Sequence, residues 1–245
     1  MGANPFERAG VGYARHRPDY PPTLADALAE ACTGHGHALD VGCGSGQLSA
    51  LLARRFERVT ATDPAAGQIA NAAPAAGVAY RVGSAERIEL PDASVDLVVA
   101  AQAAHWFELD AFYAEARRVG RSGATLALVS YGVPELHGEA GRRFAALYAE
   151  HPLRGFWPAG RRHVENGYRS LDFPFAERAL PPLAIERRWT IDDALGYVGT
   201  WSAAAAAREA GAGALVEDFA AELRALWGSG PRRVRWPIVG RLGGL

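Results

Sequence analysis

A short glycine-rich stretch constrains the fold of this chain more than any other feature. Residues 38–46 read Ala-Leu-Asp-Val-Gly-Cys-Gly-Ser-Gly. Leu39 and Val41 fit the end of a buried strand, the glycines fit a tight turn, and residues 47–56 fit a helix with one apolar side. Glycine permits positive φ angles and lets a ligand approach the backbone closely, which a Cβ would prevent. The pattern therefore predicts a site for an adenosine-type cofactor.

Strands and helices alternate on both sides of this turn. Candidate strands cover 37–41, 58–63, 78–82, 95–101 and 124–130, and candidate helices lie between them at 47–56, 65–72 and 109–119. Strands that are apolar on both faces are typical of a parallel sheet covered by helices. Later elements are a strand at 183–189, a capping box at Thr190 and Asp193, a helix at 213–227 and a strand at 234–239. Pro237 is unusual inside that last strand.

We expect a single α/β domain over residues 1–245, with two additions. Residues 1–22 are rich in Gly, Pro and Arg and are expected to form an N-terminal arm. Residues 131–182 interrupt the alternation with several prolines and one good candidate helix, at 139–151. Because so long an interruption is seldom a passive loop, we interpret it as a cap over the carboxyl edge of the sheet that helps to recognise substrate.

Composition excludes several classes of function. The formal net charge of −1 provides no general attraction for nucleic acid or an anionic membrane. All 26 Lys and Arg residues are arginine, which excludes a Walker phosphate loop and Schiff-base catalysis. Two cysteines are too few for a disulfide framework or a cysteine metal tetrad. With no secretory signal and no long apolar run, the chain is expected to be cytoplasmic.

Three features at the carboxyl ends of successive strands should converge on one ligand. The first is the glycine turn, and the second is Asp63, whose carboxylate could accept hydrogen bonds from ribose hydroxyls. The third is the polar loop Gly83-Ser-Ala-Glu86, which could reach the adenine edge. Dinucleotide sites use Gly-x-Gly-x-x-Gly, whereas here the third glycine comes one residue early and Asp40 precedes the turn. A carboxylate there would repel a pyrophosphate and suits a ligand with sulfonium and ammonium groups, which favours S-adenosylmethionine.

Residues 39–46 resemble motif I of the class I S-adenosylmethionine-dependent methyltransferases. Asp63, Gly83-Ser-Ala-Glu86, Ser94-Val-Asp-Leu-Val-Val99, Arg118-Val119 and Gly123 follow in the order of that family. Three further segments resemble its small-molecule branch, which includes the trans-aconitate methyltransferases: Tyr13-Ala-Arg-His-Arg-Pro-Asp-Tyr-Pro21, Ala101-Gln-Ala-Ala-His-Trp-Phe107 and Thr200-Trp-Ser202. The resemblance covers nearly the whole chain, most closely residues 10–130.

The resemblance implies a Rossmann-like α/β sheet of seven strands, mostly parallel with the last strand antiparallel. It also implies a set of cofactor-binding residues at the strand ends, which are Asp40, Gly42, Cys43, Gly44, Gly46, Asp63, Pro64, Ser84, Ala85, Ala101 and Gln102. Of these, Asp40 and the glycines would hold the methionine end, Asp63 the ribose, and Ser84 with Ala85 the adenine. Many relatives carry an acid where Ser84 stands, so this chain departs from the family pattern there.

His105 is the candidate catalytic base, because it follows the fourth strand and an ordinary histidine pKa suits proton removal near neutral pH. The alternative is that His105 and Trp106 only pack or line the pocket. The candidate substrate-binding residues come from the arm, from this strand end and from the insertion: Tyr13, Arg17, Tyr20, Trp106, Trp157 and Arg161. An arginine among them could pair with an acceptor carboxylate, or it could be a solvated surface residue.

The leading hypothesis is methyl transfer from S-adenosylmethionine to an oxygen, carboxylate or hydroxyl, of a small metabolite, leaving S-adenosylhomocysteine. We expect no metal, no nucleic-acid or membrane partner, and a monomer or homodimer. Two alternatives are a nucleic-acid methyltransferase, which the charge disfavours, and a non-methylating cofactor-binding protein on the same fold.

Overall fold

A computed structural model describes residues 18–245, which form one sheet of nine strands with helices between them. The strands are β1 His37–Val41, β2 Arg58–Asp63, β3 Val78–Val82, β4 Val95–Ala101, β5 Gly120–Tyr131, β6 Glu135–Leu136, β7 Glu177–Arg178, β8 Leu183–Trp189 and β9 Arg232–Gly244. The α-helices are α1 Pro22–Glu30, α2 Gln47–Leu52, α3 Ala66–Ala70, α4 Leu109–Val119, α5 Gly138–Glu150, α6 Arg161–Glu165, α7 Ile191–Gly199, α8 Ser202–Glu209 and α9 Ala214–Trp227. Single 3₁₀ turns lie at Ala104–Trp106 and Pro152–Phe156.

The sheet has the mostly parallel order expected from the sequence. Its strands follow the order β3-β2-β1-β4-β5-β9, and β8 pairs with the other edge of β9. Neighbours from β3 to β5 are parallel, and β9 runs antiparallel to both β5 and β8. Two of the nine strands, β6 and β7, have only two residues each, so the other seven are the strands that the family resemblance implied. The predicted fold class is confirmed.

Apolar side chains cover both faces of the central strands. Along β4, Leu97 and Val99 point into one buried cluster, while Val98 and Ala100 point into another on the opposite face. Since successive strand residues alternate between faces, an uninterrupted apolar run can only be buried on both sides. The first cluster contains α1 and α2, and the second contains α4.

Several predicted boundaries differ from the structure. The helix predicted over 47–56 ends at Leu52. The chain continues as tight turns in which the backbone N–H groups of Arg54 and Arg55 donate to the carbonyls three residues before them. These turns reverse the chain into β2 while keeping Phe56 buried. Helix α3 is shorter than the predicted 65–72, whereas β5 and β9 extend beyond the predicted 124–130 and 234–239.

Pro237 is compatible with an interior strand because of where it lies in the register. It pairs with Ala184 of β8 on one side. On the other side it falls between the pairing with β5, which ends at Ile238 and Tyr131, and the pairing with β6, which starts at Arg235 and Glu135. Pro237 therefore has a paired strand on one side only, as at the edge positions where proline is tolerated.

Residues 131–182 contain more regular structure than the single helix predicted at 139–151. Besides α5 they include a 3₁₀ turn, α6 and two short strands. Helix α5 packs against α9, while α6 contacts β5 and the 3₁₀ turn Ala104–Trp106 that follows β4. Ser130 at the end of β5 donates to the carbonyl of Val164 at 3.1 Å. This part of the insertion thus lies at the carboxyl edge of the sheet; its role as a substrate-recognition cap stays a prediction.

None of the helices within residues 18–245 combines the length and the apolar character needed to cross a membrane.

Candidate functional site

The glycine turn after β1 has the left-handed conformation that its sequence predicts. Gly42, Gly44 and Gly46 have φ angles of +69°, +56° and +85°. A Cβ at Gly42 would overlap the side chain of Ala103, and one at Gly46 would overlap the hydroxyl of Tyr80. At Gly44 the nearest atom would be the Gln68 side-chain oxygen, 3.9 Å away. The turn is therefore closely packed at its two ends and open at Gly44, where a ligand could approach.

Asp63 ties the end of β2 to this turn. Its carboxylate accepts hydrogen bonds from the backbone N–H of Gly44 and of Ala65, both at 2.9 Å. The backbone N–H groups of Gly42 and Cys43 donate to the carbonyl of Thr62 at 2.7 and 2.9 Å. Each carboxylate oxygen has a further lone pair, so Asp63 can hold the turn and still accept from a ligand hydroxyl.

Asp40 is a buried carboxylate with one unsatisfied oxygen. It is 1% exposed, and its Oδ2 accepts from the Ser49 hydroxyl of α2 at 2.6 Å. Within residues 18–245 its Oδ1 has no hydrogen-bond partner. Burial raises the pKa of Asp40 to about 7, and the nearby negative charge of Asp63 acts in the same direction. An unpartnered buried carboxylate is costly unless a cation or donor joins it, so Asp40 fits a ligand with a cationic group.

Arg118 organises the loop that follows β3. It donates to the carbonyls of Ile88 and Leu90 at 2.7 and 2.8 Å and also binds Glu115 and Asp92. Ser84 is half-buried and Ala85 is buried at the start of this loop, beside the end of β2, where the Gly83 N–H donates to the Asp63 carbonyl at 3.1 Å. Arg118 therefore fixes residues 88–92, which continue the loop from the segment predicted to meet the adenine.

We expect Arg118→Ala to loosen this loop. Losing the bonds to two carbonyls and two acids of a side chain that is one-third exposed should cost about 1–2 kcal/mol of unfolding free energy. The dissociation constant for S-adenosylhomocysteine should rise by roughly 3- to 10-fold. Thermal unfolding and calorimetry measure both quantities, with the exposed Arg224→Ala as control. If stability and affinity were both unchanged, Arg118 would not be the residue that holds this loop in place.

The chain leaves β4 through a strained residue. Gln102 has a φ of +59°, unusual for a residue with a side chain. Its backbone N–H donates to the Val129 carbonyl at 2.8 Å, and its amide donates to the Tyr131 carbonyl at 2.9 Å. The ring of Tyr20 lies edge-on to that of Tyr131, with centroids 5.9 Å apart. Tyr20, half-buried Ala101 and Gln102 thus meet at the ends of β4 and β5, whereas Pro64 is exposed after β2.

His105 lies in the 3₁₀ turn after β4, between this strand end and the insertion. Its ring packs against Trp106 and Tyr168, with centroids 5.0 and 6.1 Å away. A Cβ at Gly160 would lie 3.2 Å from the ring, so the glycine permits this close packing. Trp106 is 48% exposed, one of the large apolar side chains that remain accessible. Burial, with smaller contributions from the nearby Arg161 and His163, lowers the pKa of His105 to about 4.

Arg161 is largely buried beside His105 and is already partnered. Its side chain is 16% exposed, its guanidinium stacks 4.5 Å from the centroid of the Trp157 ring, and its Nε donates to Glu165 at 3.2 Å. Another guanidinium nitrogen donates to the Tyr148 hydroxyl at 3.1 Å. Of its five N–H groups, three have no partner within residues 18–245. Arg161 is therefore not a solvated surface residue.

The structure brings most of the predicted site residues to one edge of the sheet. Tyr13 and Arg17 lie outside the described residues. Sequence reasoning missed Ser49, Tyr80, Tyr148 and Glu165. The four-residue spacing of Arg161 and Glu165 on one helix face could have indicated their pairing. Cys43 is buried in the turn, where desolvation raises the pKa of its thiol. No group of three potential metal ligands occurs in residues 18–245; the absence of a metal stays a prediction.

Known proteins are similar to this chain in sequence and in fold. A family model described as a methyltransferase domain matches residues 39–128. A protein of Dictyostelium discoideum assigned as a methyltransferase is 34% identical over 209 residues, covering 84% of this chain and 80% of that protein. The chain belongs to the class I S-adenosylmethionine-dependent methyltransferases. Within this family, the closer similarity to trans-aconitate methyltransferases stays a prediction.

Further similarities extend over most of this methyltransferase. The solved structure of a protein from Anaeromyxobacter dehalogenans assigned as a type II methyltransferase is 49% identical, with a TM-score of 0.85, and covers 93% of this chain and 97% of that one. The malonyl-[acyl-carrier protein] O-methyltransferase of Serratia marcescens is 29% identical over 189 residues, 70% of this chain and 72% of that protein.

The residues present fit the methyl donor of this family. Asp40 offers a cationic group a buried carboxylate oxygen that no residue from 18 to 245 pairs with. Gly44 leaves open space beside the turn, and Asp63 retains acceptor capacity at the end of β2. Asp40, Gly44 and Asp63 are the residues that would hold its methionine and ribose portions.

Proposed function

We propose that this methyltransferase transfers a methyl group from S-adenosylmethionine to an oxygen of a small-molecule metabolite. The observation that carries the proposal is the buried Asp40 carboxylate, whose Oδ1 has no partner among residues 18–245 and which lies next to an open glycine turn. A cationic methyl donor would supply the missing partner, whereas a pyrophosphate would be repelled.

The bound cofactor supplies an electrophilic methyl group on a cationic sulfur. The protein's tasks are then to align the acceptor and to exclude water, which can contribute roughly 7–11 kcal/mol to lowering a barrier. Asp40 and Asp63 bind and orient the donor. We assign the acceptor to a second group, His105, Trp106 and Arg161, in which His105 contacts Trp106 and lies near the charge of Arg161.

Two observations favour an oxygen acceptor. The relative from Serratia marcescens is named as an O-methyltransferase. Arg161 also has three N–H groups without a partner in the described part of the chain, and its guanidinium is held in place by Trp157, Tyr148 and Glu165. A guanidinium fixed in this way can bind a carboxylate through two parallel hydrogen bonds. The acceptor that best fits this group is therefore an organic acid.

We expect Arg161→Ala to raise the apparent KM of an acidic acceptor by about 10- to 100-fold, because hydrogen bonds between charged groups contribute about 1.5–3 kcal/mol each. Affinity for S-adenosylmethionine should stay within about twofold of the wild type. Steady-state kinetics and calorimetry measure the two effects, and exposed Arg142→Ala serves as control. If the KM rose equally for acidic and neutral acceptors, Arg161 would not be the residue that recognises a carboxylate.

Product release tests the proposed function as a whole. Purified protein is incubated with S-adenosylmethionine and panels of carboxylic acids, phenols and alcohols, and S-adenosylhomocysteine is quantified by mass spectrometry. We expect turnover with members of the acid panel. Turnover only with DNA or RNA would replace the proposal with nucleic-acid methylation, and tight cofactor binding without turnover on any panel would replace it with a binding function.

A further inference from the structure

The phenol of Tyr168 contacts the ring of His105 from within the insertion. Its hydroxyl oxygen lies 3.3 Å from His105 Nδ1, and the two rings are stacked. Tyr168 is fully buried and has a φ of +64°, in the left-handed region that disfavours residues with a side chain. Strained residues persist where the surrounding structure imposes them, often next to functional groups. Its conformation therefore points to a role beyond filling space.

The partners of the Tyr168 hydroxyl decide which nitrogen of His105 carries hydrogen. Tyr168 is fully buried, and its hydroxyl both donates and accepts hydrogen bonds. The phenolic O–H then requires its own acceptor, because buried polar groups are almost always paired. Within residues 18–245, His105 Nδ1 is the acceptor in reach. Nδ1 accordingly carries no hydrogen, and the neutral ring has it on Nε2.

The surroundings of His105 favour this neutral form. Burial lowers the pKa of His105 to about 4, and the positive charge of Arg161 nearby acts in the same direction. An imidazole with so low a pKa is a poor base for a hydroxyl group, whose proton is far less acidic. Its N–H remains a good hydrogen-bond donor, and Nε2 has no partner among the described residues.

We propose that Tyr168 is a positioning residue that holds His105 as a neutral Nε2–H donor to the methyl acceptor. The identity of that acceptor rests on the proposed function, whereas the His105 tautomer does not. In this arrangement His105 removes no proton, so the acceptor oxygen is already anionic, as in a carboxylate. A carboxylate lone pair forms the new C–O bond while the C–S bond breaks and its electron pair stays on sulfur. The products are a neutral methyl ester and a thioether, and no proton is transferred.

Nitrogen NMR on protein labelled with ¹⁵N-histidine tests the tautomer without any turnover. The chain has seven histidines, and the His105 signals are assigned by their loss in His105→Gln. We expect the Nε2–H tautomer between about pH 6 and 8, and a mixture of tautomers in Tyr168→Phe, which keeps the ring and loses the donor. An Nδ1–H tautomer in the wild type, or an unchanged Nε2–H tautomer in Tyr168→Phe, would overturn the proposal even if methyl transfer is confirmed.

Kinetics of paired substitutions separate a donor from a base. The glutamine of His105→Gln can donate a hydrogen bond but cannot take up a proton, whereas His105→Ala can do neither. If His105 acts as a hydrogen-bond donor, the kcat/KM of His105→Gln should stay within about tenfold of the wild-type value. The kcat/KM of His105→Ala should then be at least tenfold lower than that of His105→Gln. If His105 acts as a general base, kcat/KM should fall equally in both variants, by roughly 10²- to 10⁴-fold. Exposed His137→Gln is the control, with unchanged kinetics expected.

Discussion

Replacing Asp40 by asparagine should weaken S-adenosylmethionine binding while leaving the unliganded protein as stable as the wild type or more so. The carboxylate is 1% exposed and its Oδ1 has no partner within the described part of the chain. Asparagine keeps an acceptor for the Ser49 hydroxyl and removes the buried charge. Loss of the attraction between this carboxylate and a cationic ligand should reduce affinity by about 10- to 100-fold.

The stability gain has a defined pH dependence. Burial raises the pKa of Asp40 from an ordinary value of 3.8 to about 7, so the folded state holds this proton more tightly than the unfolded state. The ionised carboxyl therefore destabilises the fold progressively as pH rises from about 4, and fully above about 7. Asp40→Asn should raise the melting temperature by roughly 2–4 °C at pH 8, and by less at pH 5.

The same titration predicts how ligand affinity varies with pH in the wild type. Below about pH 7 the carboxyl of the free protein becomes protonated and neutral, so the affinity for S-adenosylmethionine should fall as the solution is acidified. Asp40→Asn should lack this dependence. Exposed Asp218→Asn is the matched control and should keep both the affinity and its pH profile. If the affinity of the wild type did not change with pH, or if Asp40→Asn bound S-adenosylmethionine with normal affinity, Asp40 would not be a cofactor-binding residue.

Alanine substitutions in the glycine turn should separate folding from ligand approach. In Gly46→Ala the new Cβ would overlap the Tyr80 hydroxyl, and the φ of +85° adds backbone strain. We expect a loss of about 2–4 kcal/mol of unfolding free energy, together with loss of cofactor binding. Gly44→Ala would have backbone strain without an overlap, since the atom nearest to the new Cβ would be 3.9 Å away. It should lose only about 1 kcal/mol of stability, and still lose cofactor binding because the new methyl group occupies the open side of the turn.

Gly211→Ala is the control for backbone strain alone. Gly211 has a φ of +74° and nothing within 4 Å of an added Cβ, and it lies between α8 and α9, away from the turn. Its stability loss should match that of Gly44→Ala, with cofactor affinity unchanged. Chemical denaturation and calorimetry measure the three variants. If Gly44→Ala bound the cofactor as well as Gly211→Ala did, the ligand would not lie against this turn.

Local patterns predicted the sheet and the cofactor side of the site well. The strands at 37–41, 58–63 and 95–101 are short apolar runs bounded by glycine, polar or charged residues, and β1, β2 and β4 occupy those positions. The capping box at Thr190 and Asp193 is present at the start of α7. Such features depend on neighbours within a few residues, which makes them readable from the sequence alone.

Contacts between distant parts of the chain could not be predicted in the same way. Tyr168 reaches His105 across 63 residues, and the pKa of His105 depends on burial that the insertion creates. That Oδ1 of Asp40 has no partner among the described residues is likewise a property of three-dimensional packing, since the sequence shows only that an acid precedes the turn. Pro237 shows the converse: a local rule disfavoured it in an interior strand, and the register of β5 and β6 accommodates it.

Isothermal titration calorimetry of the folded protein with S-adenosylhomocysteine and S-adenosylmethionine at pH 8 tests the central claim most directly. We expect saturable binding of both compounds at one site per chain, abolished or strongly weakened in Gly44→Ala. No heat with either compound, together with tight binding of a nicotinamide dinucleotide by the same preparation, would contradict a methyl-donor site at the end of β1.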